Sequence, residues 1–167
     1  MKVIEITKPG GPDVLALAER DVPKPKAGEL LIKVAATGVN GPDMMQRKGL
    51  YPAPAGASDL LGLEISGEVT AVGDGVTRWK AGDKLCGLTN GGGYAEYCRL
   101  PAGQALPWPA ALDAVHAAAI PETFFTVWAN LFQMGKVRAG ETVLVHGGAS
   151  GIGTTALMLL HAFGIRT

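Results

Sequence analysis

The stretch His146-Gly-Gly-Ala-Ser-Gly-Ile-Gly-Thr154 organises the second half of this 167-residue chain. It follows Glu141-Thr-Val-Leu-Val145, a short apolar and β-branched run that predicts one buried parallel strand. It leads into a helix predicted over Thr154–Phe163 from its apolar spacing, which Gly164 is placed to end. A strand, a glycine turn and a helix together present free backbone N–H groups to a phosphate. The stretch therefore predicts a dinucleotide site.

The glycine turn departs from the usual GxGxxG fingerprint at its middle position. That fingerprint uses its first glycine for the turn, its second for the approach of the pyrophosphate and its third for helix packing. Gly148 and Gly153 hold the first and third places here, but Ser150 takes the second. Its hydroxyl either donates to a phosphate or the nicotinamide, which we favour, or bonds the local backbone. The predicted cofactor-binding residues of the turn are Gly148, Ala149, Ser150, Gly151, Ile152 and Gly153. The alternative is a tight turn that binds no ligand.

Composition excludes several classes of function. Fifteen basic and fifteen acidic residues balance to a net charge of zero, which gives no electrostatic footprint for nucleic acid or an acidic membrane. A hydrophobic content of 47% with 18% charged residues indicates faces that more protein would cover. No apolar run reaches the ~18–20 residues of a membrane span, and the N-terminus lacks a signal-peptide pattern. We expect a cytoplasmic protein.

Cysteine and histidine residues form no metal-binding pattern. Cys86 and Cys98 lack CxxC spacing and are expected as small core residues, with a disulfide as the alternative. The histidines are scattered, and His146 is expected as a satisfied core polar group. The sequence therefore predicts no metal site.

Short strands divided by glycine and proline turns fill the first 105 residues, which predicts a β-barrel or sandwich. The predicted strands are Lys2–Thr7, Leu15–Glu19, Glu29–Thr37, Gly62–Val72, Lys84–Gly87 and Tyr94–Leu100. A short helix is expected at Asp43–Arg47. Gly67 lies inside a predicted strand, where it indicates a bulge or a close backbone approach.

The chain becomes helical after Leu106. Asp113 is a suitable N-cap for a helix that ends near Ala119. Pro121 then opens a longer helix to about Met134, since proline fits the first helical position. An α/β unit is expected to begin near residue 140.

The ordered motifs along the chain resemble one family. They are GVNxxD, LGxExSGxV, GGYAEY, PETFFTVW and GETVLVHGGASGIGTTA. In this order they resemble the zinc-independent quinone oxidoreductases of the medium-chain dehydrogenase/reductase superfamily, close to the zeta-crystallins. The resemblance implies a mixed α+β fold with a GroES-like β-barrel catalytic domain at residues 1–120. A bridge helix and the first strand, turn and helix of a Rossmann α/β domain would occupy residues 121–167.

The resemblance also implies site residues. Asn40 and Asp43 match a polar pair that faces the active-site cleft, but both could instead make an Asx turn or a helix cap. Tyr51 matches a tyrosine near the nicotinamide and the substrate, and its alternative role is to anchor a proline loop at the surface. Thr126 matches a position near the nicotinamide carboxamide, or simply bonds its own helix.

Metal-dependent relatives differ from this chain at a position that carries a histidine in those relatives. Zinc alcohol dehydrogenases of this superfamily place a histidine in a Gly-His-Glu triplet, where this chain has Gly62-Leu63-Glu64. The four-cysteine lobe of their structural zinc is also missing. The resemblance therefore implies zinc-independent chemistry, and Glu64 is expected as a structural residue inside the barrel.

The function implied by the resemblance is hydride transfer from NADPH, with NADH as the alternative, to a small quinone or enone. A homodimer is implied for the full-length protein, with no nucleic-acid or membrane partner. The residue that reads the ribose 2′ position lies ~20 residues past the turn, so this stretch does not reveal the cofactor preference. Family members are longer, and we expect the 167 residues alone to be inactive. The alternative function is a catalytically inactive GroES-like module that binds a partner chain or has no activity alone.

Overall fold

Antiparallel strands dominate the first part of the chain, in a computed structural model that describes all 167 residues. The chain divides into two units, Met1–Ala119 and Ile120–Thr167. The strands of the first unit are β1 (Lys2–Ile6), β2 (Leu15–Glu19), β3 (Glu29–Thr37), β4 (Glu64–Val72), β5 (Lys84–Leu88), β6 (Tyr97–Pro101) and β7 (Ala105–Pro107). β1 pairs with β2, and the other five form one sheet in the order β6-β3-β4-β5-β7.

Short helices connect these strands. They are α1 (Gly41–Arg47) and α2 (Ala114–Ala118), with 3₁₀ turns at Pro12–Val14 and Ala102–Gln104. The Asp113 carboxylate accepts the backbone N–H of His116, which confirms the predicted N-cap of α2. The first part of the chain is thus rich in strands, as predicted. The largest shift is at β6, which begins three residues after the predicted start at Tyr94. The Tyr94 N–H instead donates to the Leu61 carbonyl, outside the strand pairing.

The core of the first unit lies on one face of the five-stranded sheet. Its buried members are Leu30, Ile32, Ile65, Val69, Trp79, Leu85, Cys98, Leu100 and Ala105. Alternate residues of a strand share a face, which explains the pairs at positions 30 and 32 and at 65 and 69. Cys86 and Cys98 are both buried and unpaired, so the expected core role is confirmed and the disulfide alternative is wrong.

Gly67 marks the predicted close approach between two strands. It pairs with Val34 across the β3–β4 ladder, which changes register on both sides of this region. A Cβ at Gly67 would lie 2.6 Å from Ile32 Cγ2 and would also meet the Lys33 carbonyl. Glycine therefore lets the two backbones approach.

The second unit begins with a helix whose winding changes. The α-helix α3 (Pro121–Val127) continues as a π-helix over Trp128–Met134. The N–H of Gly135 reaches back to the carbonyl of Asn130, five residues earlier, in keeping with the wider winding. The predicted extent to Met134 is confirmed, but uniform α-helical winding is not observed.

The predicted buried strand at Glu141–Val145 is wrong. Only Thr142 forms a β-bridge, in parallel with Arg166, and the Leu144 side chain is 80% exposed. A parallel strand needs neighbours on its edges and helices over its faces. Here the pairing is limited to this bridge and to backbone hydrogen bonds of Glu141 and Val143 with Arg166.

The final helix, α4 (Gly151–Ala162), begins three residues before the predicted start. Its end follows the expected pattern, because Gly164 adopts a φ of 68°. The N–H of Gly164 bonds the His161 carbonyl and the N–H of Ile165 bonds the Leu160 carbonyl, which is a Schellman cap. His146 lies exposed in the preceding turn, so its predicted core position is wrong.

None of the helices combines the length and the apolar character that a membrane crossing requires.

We expect Gly67→Ala to lower the free energy of unfolding by about 1–3 kcal/mol, because the added methyl overpacks the β3–β4 contact. Gly103→Ala is the control, since a Cβ at Gly103 meets no atom within 4 Å. Urea denaturation of both variants measures the difference. Equal midpoints for the two variants would contradict the close approach.

Candidate functional site

The start of α1 places Asn40 and Asp43 together. Asn40 is the N-cap residue of α1, and its backbone N–H donates to Oδ2 of Asp43 at 2.8 Å. Asp43 is the third helical residue, where a carboxylate can reach back to the cap in this way. The helix-cap role is therefore present in the structure. A role of either residue toward a substrate remains a prediction.

The Asp43 carboxylate joins three segments of the first unit. It is only 3% exposed. Besides Asn40 it accepts the Gly62 N–H on Oδ1 at 2.9 Å and the Tyr94 hydroxyl on Oδ2 at 3.3 Å. A buried carboxylate needs such donors to offset its lost hydration. Asp43 consequently fixes the start of α1 against the segments that hold Gly62 and Tyr94.

Glu64 lies on the other side of Asn40. Its Oε1 accepts the Asn40 side-chain Nδ2–H at 2.9 Å, and the residue is 3% exposed. A Cβ at Gly38 would come within 2.6 Å of the Glu64 carboxyl carbon, so a glycine leaves space for this carboxylate. The expectation that Glu64 is bonded inside the first unit is confirmed.

The surroundings of Tyr94 change the pKa of its hydroxyl. Burial raises the pKa of its hydroxyl above the ordinary value, and the nearby charge and hydrogen bond of Asp43 raise it further. The Tyr94 hydroxyl therefore stays protonated and remains a donor to Asp43 at neutral pH.

Tyr51 lies apart from this cluster and lines a cavity of about 340 Å³. Its side chain is exposed, and Leu63, Thr89 and Asn90 form part of the cavity wall. The Thr89 hydroxyl donates to the Gly62 carbonyl at 2.8 Å. A chain of hydrogen bonds thus runs from Asp43 through Gly62 to the wall of the Tyr51 cavity.

The glycine turn forms a compact entry to α4. Ser150 is the N-cap, and its Oγ accepts the Gly153 N–H at 3.0 Å. This local bond is the alternative role considered for Ser150, although the hydroxyl proton remains available to donate. A Cβ at Gly153 would lie 2.6 Å from the Gly148 Cα, so the third glycine permits close packing, as predicted.

The predicted cofactor residues leave polar groups exposed at this turn. Ala149, Gly151 and Ile152 are exposed at the start of α4, where the first-turn amides have no helical acceptor. These amides and the positive end of the helix can bind a phosphate. The residues present therefore fit the pyrophosphate of a dinucleotide.

Thr126 is half-buried on α3. Its carbonyl accepts the Asn130 Nδ2–H at 2.8 Å. The Thr126 prediction is not tested by this contact, which involves the backbone and not the hydroxyl.

The sequence patterns did not single out Tyr94, Thr89 or Gly62 as site residues. Gly62 has a φ of 98°, and its neighbour across the site is the Gly91-Gly-Gly93 run before Tyr94. The glycines at these two places were the only sequence signal for this part of the site. The two segments are about thirty positions apart in the chain, so no local pattern shows that they are in contact.

No three of the His, Cys, Asp and Glu side chains are gathered in a group that could hold a metal ion.

Comparison with known proteins identifies relatives along almost the whole chain. Residues 26–110 match the alcohol dehydrogenase GroES-like domain. The quinone oxidoreductase of Rattus norvegicus is 37% identical over 168 residues, which cover 99% of this chain and 51% of the relative. The structure is similar to that of the Escherichia coli quinone oxidoreductase complexed with NADPH, with a TM-score of 0.85, 34% identity and coverage of 99% and 51%. It is also similar to CurK enoyl reductase, with a TM-score of 0.88, 30% identity and coverage of 98% and 52%.

The raised pKa of Tyr94 predicts a pH-dependent stability. A tyrosine in the unfolded chain ionises at about pH 10, whereas folded Tyr94 ionises at higher pH. The stabilisation that the protonated Tyr94 hydroxyl gives the folded state is therefore complete below about pH 10 and is lost as the pH rises further. We expect the stability of Tyr94→Phe to fall less steeply than that of the parent chain above about pH 10. Urea denaturation across this range measures both, with the exposed Tyr51→Phe as the control. Parallel pH profiles for parent and Tyr94→Phe would contradict the prediction.

The relatives are all longer than this chain. The chain spans about half the length of the curated relatives it matches. The domain match covers residues 26–110, and the matched segment includes the Asn40, Asp43 and Glu64 cluster. The expected mixed fold with a GroES-like domain is confirmed. The chain belongs to the alcohol dehydrogenase GroES-like domain family and is related to the quinone oxidoreductases of the medium-chain dehydrogenase/reductase superfamily.

Proposed function

We propose that the full-length protein is an NADPH-dependent oxidoreductase that transfers a hydride to a quinone or a related conjugated carbonyl acceptor. The observation that carries this proposal is the similarity to quinone oxidoreductases over 99% of the chain. The solved Escherichia coli relative is complexed with NADPH, which supports NADPH over NADH. The enoyl reductase relative supports a conjugated acceptor in general.

We assign the cofactor to the start of α4. Ser150 fixes the first turn through its bond to Gly153, so the free amides of Gly151 and Ile152 are held in place before a ligand arrives. Preorganised donors bind an anion without the cost of ordering the backbone. We assign the pyrophosphate to these amides and Ala149, and Thr126 to the nicotinamide carboxamide.

We assign the acceptor to Asn40, Asp43 and Tyr51 of the first unit. When bound, NADPH would supply the hydride, and the protein would align the acceptor and stabilise charge that develops on its oxygen. Asn40 has a second side-chain N–H besides the one that bonds Glu64, and the exposed Tyr51 hydroxyl can donate. Asp43 already accepts three hydrogen bonds from the first unit, so we assign it the task of holding Asn40.

We propose the cavity beside Tyr51 as the space in the first unit that holds the acceptor. Its volume is about 340 Å³, and its wall combines the Tyr51 ring with Leu63 and Pro54. A wall that combines apolar residues with polar ones such as Thr89 and Asn90 suits a small ring that carries carbonyl oxygens. This supports a small quinone or enone as the substrate class. We further propose that residues 1–120 act as the catalytic domain, residues 121–167 begin the cofactor domain, and the full-length protein is a zinc-independent cytoplasmic homodimer.

A second candidate function is a non-catalytic GroES-like module that binds a partner chain or has no activity alone. The observation in its favour is the exposed apolar run around Leu144, which lacks the cover that a parallel strand requires. The two candidates differ in cofactor binding.

We expect the 167-residue chain to bind NADPH saturably, because the capped turn is already formed within it. Gly153→Ala should weaken binding by about tenfold or more, because the added methyl displaces the turn from the start of α4. Fluorescence titration of NADPH at low salt measures both, with Gly103→Ala as the matched control. An absence of saturable binding to the parent chain and to the full-length protein would favour the non-catalytic module.

We expect Asn40→Ala and Tyr51→Phe to reduce kcat/KM for quinone reduction by the full-length protein by about tenfold each, the effect of removing a hydrogen bond made in the transition state. The KM for NADPH should change little, because neither residue lies at the glycine turn. NADPH oxidation with a small ortho-quinone measures the rates. Tyr97→Phe is the control among the tyrosines of the first unit. Unchanged turnover in Asn40→Ala and Tyr51→Phe would contradict these assignments.

A further inference from the structure

We propose that Glu64 is a positioning residue, which orients the Asn40 side chain toward the acceptor. This inference rests on the proposed function, since it gives Asn40 a partner in the reaction. It goes further in assigning a role in the reaction to a buried carboxylate that would otherwise only support the fold.

The contact between the two side chains defines the orientation of the Asn40 amide. Nδ2 of Asn40 donates to Oε1 of Glu64 at 2.9 Å. An ionised carboxylate only accepts hydrogen bonds, so it selects the nitrogen end of the amide and excludes the flipped orientation. The second N–H of the amide is then left for another partner. A hydrogen bond to a charged acceptor is also stronger than one between neutral groups.

The backbone around Glu64 is arranged to hold this carboxylate in place. Its own carbonyl accepts the Thr37 hydroxyl at 2.8 Å and the Gly38 N–H at 3.3 Å. Gly38 has no side chain where the carboxylate lies, and a Cβ there would come within 2.8 Å of the Glu64 Cγ. The Glu64 side chain is therefore confined between β4 and the end of β3, facing Asn40.

Asn40 is held from two sides. Its backbone N–H bonds Asp43 and its side chain bonds Glu64, so neither the main chain nor the amide is free to rotate. Both carboxylates are 3% exposed, and water competes little for these bonds. Glu64 is thus suited to act through Asn40, without touching the acceptor itself.

A double-mutant cycle in the full-length protein tests this role. We expect Glu64→Asp, which is one methylene too short to reach Asn40, to lower kcat/KM for the quinone by about tenfold through kcat, with the KM for NADPH unchanged. In an Asn40→Ala background the same change should cost less than about twofold, because its target is gone. Glu64→Gln keeps the length but its amide can also donate, so it should recover only part of the activity lost in Glu64→Asp. The control is Glu68→Asp, at an exposed position of β4.

An equal tenfold loss in both backgrounds would overturn the proposal, because Glu64 would then act independently of Asn40. A loss confined to the free energy of unfolding, with kcat unchanged, would also overturn it. Such results would leave the proposed oxidoreductase function intact, since the parent protein would still turn over quinone.

A second measurement needs no activity and uses the parent 167-residue chain. The nitrogen–proton correlation spectrum of the Asn40 side-chain amide, assigned by its loss in Asn40→Ala, should show one proton shifted and protected from exchange. Glu64→Asp should remove this signature, and Glu68→Asp should preserve it. An unprotected amide in the parent chain would overturn the proposal. If the full-length protein failed to reduce quinones, the proposed function would fail while this spectrum still decided whether Glu64 orients Asn40.

Discussion

The burial of two carboxylates around one asparagine is the constraint on which the first unit of the structure depends. Moving a charged group out of water is costly unless its oxygens are bonded. Asp43 meets this cost with donors from three separate segments, and Glu64 accepts the amide of Asn40. Because these donors come from α1, from the segment before β4 and from the segment before β6, their bonds also fix the relative positions of the three segments.

Glycines make this polar cluster compatible with a tightly packed sheet. Gly38 leaves space for the Glu64 carboxylate, and Gly62 adopts a positive φ that turns its N–H toward Asp43. Gly67 permits the close β3–β4 contact on the same strand that carries Glu64. The site therefore follows from backbone geometry as much as from reactive side chains. It is also joined to the neighbouring cavity, because Thr89 bonds the Gly62 carbonyl.

The second unit shows that the glycine turn before α4 can form without a buried strand before it. The bond between Ser150 and Gly153 and the packing of Gly153 on Gly148 involve residues within a few positions of one another. The Schellman cap at Gly164 is equally local. Burial of Leu144 depends instead on neighbouring strands and covering helices, which is a requirement of the whole sheet and not of the turn.

The sequence by itself determined the features that arise from nearby residues: strands β2 and β3, the N-cap at Asp113 and the end of α4. Hydrophobic periodicity and capping act over a few positions, so they can be recognised without the fold. It also supplied Asn40 and Asp43 as candidate site residues, through a family resemblance. Only the tertiary structure brought Glu64, Tyr94 and Gly62 around them, left Leu144 exposed and moved His146 out of the core. The reason is physical: burial and hydrogen bonding between distant segments depend on the final packing, which no local pattern encodes.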